Sequence, residues 1–111
     1  MITKIYRLKS HEIRPIVFGI GGCLATDRIV VDGRRVGYMF RDSPINEQDS
    51  GWRFFSGDED ENYIRNDDHH GVYDVNTIAN YDHDIVPFLR SEYGSHFDRD
   101  EEGNFRLISK K

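Results

Sequence analysis

Asp49-Ser50-Gly51-Trp52-Arg53-Phe54-Phe55-Ser56-Gly57-Asp58-Glu59-Asp60-Glu61 holds the only tryptophan, a phenylalanine pair and the densest acidic run of a 111-residue chain. Asp49-Ser50-Gly51 has turn chemistry, because Asp and Ser side chains bond nearby backbone and Gly tolerates positive φ. The aromatic run suits a buried strand over 52–56. Side chains alternate along a strand, so Trp52 and Phe54 share one face and Arg53 and Phe55 the other. Ser56-Gly57-Asp58-Glu59 has the form of a capping box, Ser as N-cap and Glu at N3. It predicts a short helix over 57–64 with Tyr63 and Ile64 at its apolar end.

On the N-terminal side, 41–48 reads as a polar loop in which Pro44 disfavours helix and removes a ladder donor. Before it, Asp32-Gly33 lies between Arg28-Ile29-Val30-Val31 and Arg34-Arg35-Val36-Gly37-Tyr38-Met39-Phe40, which predicts a two-residue type I′ hairpin. Alternation then puts Ile29, Val36, Tyr38 and Phe40 on the core face, with Arg28, Val30, Arg35 and Met39 opposite. Gly19-Ile20-Gly21-Gly22 fails the dinucleotide and phosphate-loop patterns, since Leu24 stands where a third glycine belongs and no Gly-Lys-Ser/Thr follows. Those glycines predict a bend or a close backbone approach. Residues 1–9 fit neither period well and read as a weakly docked segment.

On the C-terminal side, 66–71 is a loop and Val72-Tyr73 a short strand. Val75, Ile78 and Ala79 fall at i, i+3 and i+4, which predicts a brief helix over 74–81. A further helix is capped by Asp82 or Asp84 and buries Ile85, Phe88 and Leu89, with Pro87 favouring the later start. Residues 97–108 read as a hairpin with its tip at 101–104. The expected class is α+β: a small, mostly antiparallel sheet with hairpins and two or three short helices on one side.

Composition narrows the function. At 37 % hydrophobic and 13 % aromatic residues, the chain is too apolar to be disordered and long enough for one domain over 1–111. A single cysteine, Cys23, excludes an internal disulfide framework and any multi-cysteine zinc site. No apolar run approaches the length of a membrane span, and Met1-Ile2-Thr3-Lys4 does not lead into a signal-peptide core. These features describe a reduced, cytoplasmic protein with no membrane partner. Residues 42–84 carry twelve acids against Arg53 and Arg65. Such a balance argues against a nucleic-acid partner and favours a basic protein partner reached by fast, salt-sensitive encounter.

The chemistry-bearing clusters are weak. Asp58, Asp60 and Asn62 match the first ligands of a calcium loop, but Tyr63 and His69 stand where Gly and a bidentate Glu are needed; Asp98, Asp100 and Glu102 fail similarly at Ser109. His69-His70 with Asp67, Asp68 and Asp74 lacks metal-ligand spacing, because adjacent histidines point apart. Cys23 between Gly22 and Leu24 suits a small buried residue better than a nucleophile. No catalytic residue, metal or cofactor is assigned. Trp52 reads as core, with an anchoring role on a binding face as the alternative. The acids have two compatible readings, a helix start beside the positive end of its dipole and a partner-facing cluster.

Gly21-Gly22-Cys23-Leu24-Ala25-Thr26-Asp27-Arg28, Val36-Gly37-Tyr38-Met39-Phe40-Arg41, the Asp49–Glu59 segment and Asn76-Thr77-Ile78-Ala79-Asn80-Tyr81-Asp82 together resemble the immunity protein thirty-three family of bacterial polymorphic toxin systems. The resemblance covers about 21–108 and leaves 1–20 as an N-terminal extension. It implies an α+β domain without catalysis that neutralises a cognate toxin. With the charge pattern, it nominates Asp58, Glu59, Asp60, Glu61, Asp67 and Asp68 as partner-binding residues and the toxin as basic. A monomer or weak homodimer is expected. Two rival readings remain: a small ligand-binding or enzymatic domain with a pocket or anchor at Trp52, Asp49 and Tyr63 near His69, and an oligomer-forming module pairing through the Asp32-Gly33 hairpin.

Overall fold

The aromatic segment forms the middle of the sheet. In a computed structural model, which describes residues 3–110, strands β1 (Gly22–Thr26), β2 (Tyr38–Arg41), β3 (Asp49–Phe55), β4 (His70–Asp74), β5 (Ser95–Arg99) and β6 (Phe105–Lys110) make one six-stranded sheet. Its order is β4-β1-β3-β2-β5-β6. β1 runs parallel to β3, and every other neighbouring pair is antiparallel. The predicted class holds, a small α+β domain of one mostly antiparallel sheet with a few short helices. These are not all on one side, since Ile64 of α2 (Glu61–Arg65) lies with Phe40 and Phe55 on the face opposite α1 (Asp27–Val30) and α3 (Val75–Tyr81).

One face of the sheet is roofed. Ala25, Phe54, Met39 and Phe97 pair across four strands, with Cys23 and Trp52 beside them. Helices α1 (Asp27–Val30) and α3 (Val75–Tyr81) and a 3-10 helix, His83–Phe88, cover this row. They contribute Ile29, Val30, Val75, Ile78, Ala79 and Ile85 to the same core, and Leu89, just past the 3-10 helix, joins them. Trp52 and Phe54 are fully buried here, as alternation from the aromatic run predicts. The indole N–H donates to the Leu89 carbonyl at 3.0 Å.

The Asp32-Gly33 hairpin is not formed. Residues 27–30 are a helical turn, and Gly33, at φ 77°, ends it with its N–H donating to the Ile29 carbonyl. A helix stop and a type I′ turn both require positive φ, so Asp-Gly satisfies either. Burial decided between them: Ile29 and Val30 are adjacent and both buried, which a strand with one wet face cannot achieve. The pairing module built on that hairpin therefore loses its strand. The face assignment changes as well. Met39 is buried with the core, while Tyr38 and Phe40 lie on the other face. β2 begins only after Gly37, so alternation does not carry back to Val36.

The capping box forms by half. Glu59 accepts from the N–H of Ser56 and of Gly57, yet the helix starts later, as α2 (Glu61–Arg65) capped by Asp60 on the Tyr63 N–H at 2.8 Å. The strand begins earlier than predicted, since Asp49-Ser50-Gly51 belongs to β3. Asp74 caps α3 and Asp82 caps the 3-10 helix. Pro87 sits late in that helix; in so short an element its missing N–H does not force the start toward Asp84.

The N-terminal extension crosses α3 as a strap. Asn76 Oδ1 accepts from the N–H of Ile16 and Val17, and Asn80 Oδ1 from that of Arg14. Both side-chain amides donate back to the Arg14 carbonyl at 2.9 Å. The Tyr81 hydroxyl accepts from the Leu8 N–H and donates to the Val30 carbonyl. Residues 1 and 2 of the predicted docked segment lie outside the described residues.

Candidate functional site

Asp49-Ser50-Gly51-Trp52 is a structural cassette around a register shift between β1 and β3. Asp49 grips Arg53 through both oxygens, at 2.9 and 2.8 Å, with each side chain under a tenth exposed. It also accepts from the backbone N–H of Gly51 and of Ile45. The hydrogen-bonded Arg53 guanidinium and these amides together hold the Asp49 carboxyl far below the usual carboxylate range, against its partial burial. Ser50 Oγ donates to the Gly22 carbonyl and accepts from the Trp52 N–H. Gly51 has φ 89°, and a β-carbon there would stand 2.0 Å from the Asp42 carbonyl oxygen.

The nominated acids separate into two groups. Asp58 accepts from the Ser56 hydroxyl, and that bond, with the charges of Arg34 and Arg28 paired to it, lowers its pKa. Glu59 is half-buried; burial opposes its charge, but the Thr26 hydroxyl and the Ser56 and Gly57 amides outweigh that and keep its pKa low. Asp60 is the cap of α2. These three brace the chain where β3 hands over to α2. Glu61, Asp67 and Asp68 are exposed, and among the described residues Glu61 alone of them makes an ion pair, with Arg65 at 3.2 Å.

The nominated pocket residues do not converge. Trp52 is enclosed in the roofed core, Asp49 is locked to Arg53, and Tyr63 stacks on His69 at 4.0 Å beneath the Arg28 guanidinium. Cys23 is buried, and burial with the nearby Asp74 pushes its thiol far above the ordinary value, the opposite of an activated nucleophile.

Sequence reasoning missed the second face of the sheet. Val72, Leu24, Arg53, Phe40 and His96 pair in one row across β4, β1, β3, β2 and β5. Phe40 stacks on His96 at 4.9 Å and on Phe55 at 5.9 Å. The Tyr38 hydroxyl meets His96 Nδ1 at 2.6 Å, and burial raises the Tyr38 pKa, with Asp98 adding to it. Two hollows of about 260 and 120 Å³ run end to end along this face and share Leu24 and Arg53. Ile64 of α2 walls the first, with Phe40 and Phe55; Ile45 of the 42–48 loop walls the second, with Val72. Carrying the alternation back from Phe55, rather than forward from the supposed hairpin, would have found this face.

A family model described as the immunity protein Imm33 domain matches residues 23–109. The chain belongs to the Imm33 family. No curated protein and no solved structure matches it. The Imm33 match begins one residue inside β1 and ends one residue short of the end of β6, so it takes in all six strands but for those two residues and leaves the strap outside. Within it, several polar side chains of the family-like segments are bonded within the fold: Asp49 to Arg53, Glu59 to Thr26, Asn76 and Asn80 to the strap, and Asp82 to the Val36 N–H and Arg99. These bonds build the fold. Among the described residues, no helix is long and apolar enough to cross a membrane.

Proposed function

We propose that this protein neutralises a cognate bacterial toxin by binding it, without catalysis of its own, and that the toxin surface it meets is basic. Membership of the Imm33 family carries the reading. The charge distribution supports the second part. Glu61, Asp67 and Asp68 form an exposed acidic ridge on and after α2, and Arg65 is its one arginine. Asp58, Glu59 and Asp60 serve the ridge indirectly, by fixing the path from β3 into α2. Opposite charges across an interface speed encounter and select the partner more than they add affinity.

Co-expression with the toxin encoded beside this gene tests the reading. Rescue of growth and co-purification at low salt are the expected results. The absence of both rescue and a complex would overturn it. Charge reversal of Glu61, Asp67 and Asp68 together is expected to slow association and flatten its salt dependence; an unchanged salt slope would move the contact away from the ridge.

A further inference from the structure

Helices α1 and α3 and the 3-10 helix cover one side of the sheet; the other side has only the short α2 at one end, and is not the polar surface that a solvated antiparallel sheet presents. Leu24, Phe40, Phe55 and the aliphatic part of Arg53 make an apolar floor, closed at its ends by Ile45 and Ile64. Ile45, Ile64 and Val72 are 78, 41 and 76 % exposed, grouped around one trough. Arg53 adds no net charge to the floor because Asp49 neutralises it. The two end walls are acidic. Residues 42–48 and 60–70 contain Asp42, Glu47, Asp60, Glu61, Asp67 and Asp68 against Arg65 alone. An apolar trough between acidic ends favours one kind of occupant. A second copy of this chain would bring acidic ends against acidic ends, and a nucleic acid would be repelled by both. A polypeptide with an apolar or aromatic side chain for the floor and lysines or arginines on either flank is complementary throughout.

We infer that the uncovered sheet face, from Ile45 past Leu24 and Phe55 to Ile64, is the seat of the toxin, receiving a segment with an apolar anchor between basic flanks. The inference rests on the toxin-neutralising reading and goes beyond the acidic ridge by assigning the affinity to the trough. The ridge steers; the trough holds. Desolvation of the anchor supplies the free energy, and shape at the floor, not net charge, sets the dissociation rate.

Three variants and the wild-type protein decide it, using the toxin encoded beside this gene as probe. Ile45→Asp with Val72→Asp, and separately Ile64→Ser, are expected to raise the dissociation rate about tenfold or more, the scale of a lost anchor contact. Leu107→Asp, on the distant edge strand β6, is expected to change it little. All four side chains are exposed, so melting temperatures within a few degrees of wild type will show that the fold is kept. Hydrogen exchange on the wild-type complex is expected to show protection at 42–48 and 61–65, independently of any substitution. Full binding by both trough variants overturns the inference and leaves neutralisation standing. So does protection confined to β6 or to the strap. A wild-type protein that neither binds nor rescues overturns the functional reading, and the inference with it. A homodimer of the free protein that Ile45→Asp with Val72→Asp dissolves would assign the trough to a second copy and overturn it as well.

Discussion

At the scale of single residues, Asp49 and Gly51 carry more of the fold than their polarity suggests. Removing Asp49 leaves the Arg53 guanidinium buried without a counter-charge, and breaking such a pair costs about 3–5 kcal/mol. Asp49→Ala is therefore expected to lower the urea midpoint sharply, while Glu61→Ala, which breaks an exposed pair, shifts it by less than about 1 kcal/mol. Equal effects would mean that Arg53 finds water or another partner. Gly51→Ala faces both a left-handed φ and the Asp42 carbonyl oxygen 2.0 Å from the new methyl. Since neither can yield without breaking the Asp42–Gly51 backbone hydrogen bond, little folded protein is expected, judged by soluble yield and near-ultraviolet circular dichroism. At this scale the sequence was readable in part. Trp52 and Phe54 announce a buried face by their spacing, but nothing local tells that Asp49 will meet Arg53 and not solvent. That pairing depends on the register shift beside β1, which is a property of two strands.

Among elements, the same Asp-Gly dipeptide that signals a hairpin closes α1, and the error spread to the faces of Tyr38, Met39 and Phe40 in β2. Local turn chemistry specifies a positive φ, not the element around it. The helix over 74–81 was legible because its apolar spacing and its Asp cap agree, two signals of different kind. The strap was not legible at all, for its backbone is held by side chains of α3 some sixty residues away. That arrangement makes a prediction. Asn76 receives two backbone N–H groups and donates to one carbonyl, so Asn76→Ala forfeits about 1–3 kcal/mol. The loss should be local: limited proteolysis is expected to cut within 8–20 faster than in wild type, while the sheet amides keep their exchange protection. Uniformly faster exchange throughout would show instead that strap and sheet unfold as one unit.

For the whole molecule, the carboxylates that brace the fold make its stability depend on pH in a definite direction. Asp49 and Glu59 have pKa values below their unfolded ones, so the native state holds fewer protons than the unfolded chain in acid. Their contribution is complete above about pH 4.5, near the unfolded carboxylate values, and is lost as pH falls through the lower native ones. The urea midpoint is expected to fall between about pH 4.5 and pH 2, less so in Glu59→Gln. A midpoint that rises on acidification would contradict these assignments. Strand order has a further consequence. β1 is enclosed between β3 and β4, both made later in the chain, whereas β2 and β3 are joined by one loop. During synthesis β1 emerges with no neighbour to pair with, and waits through α1 and β2 until β3 arrives, and through α2 until β4 can close its other edge. Assembly thus has a late committing step, the closing of a long loop to seat the parallel pair, and topologies of that kind fold slowly for their size. A newly made molecule spends that interval with Cys23 and Ala25 uncovered. The supply of finished protein is then set by how soon β1 is seated as well as by how fast the chain is made.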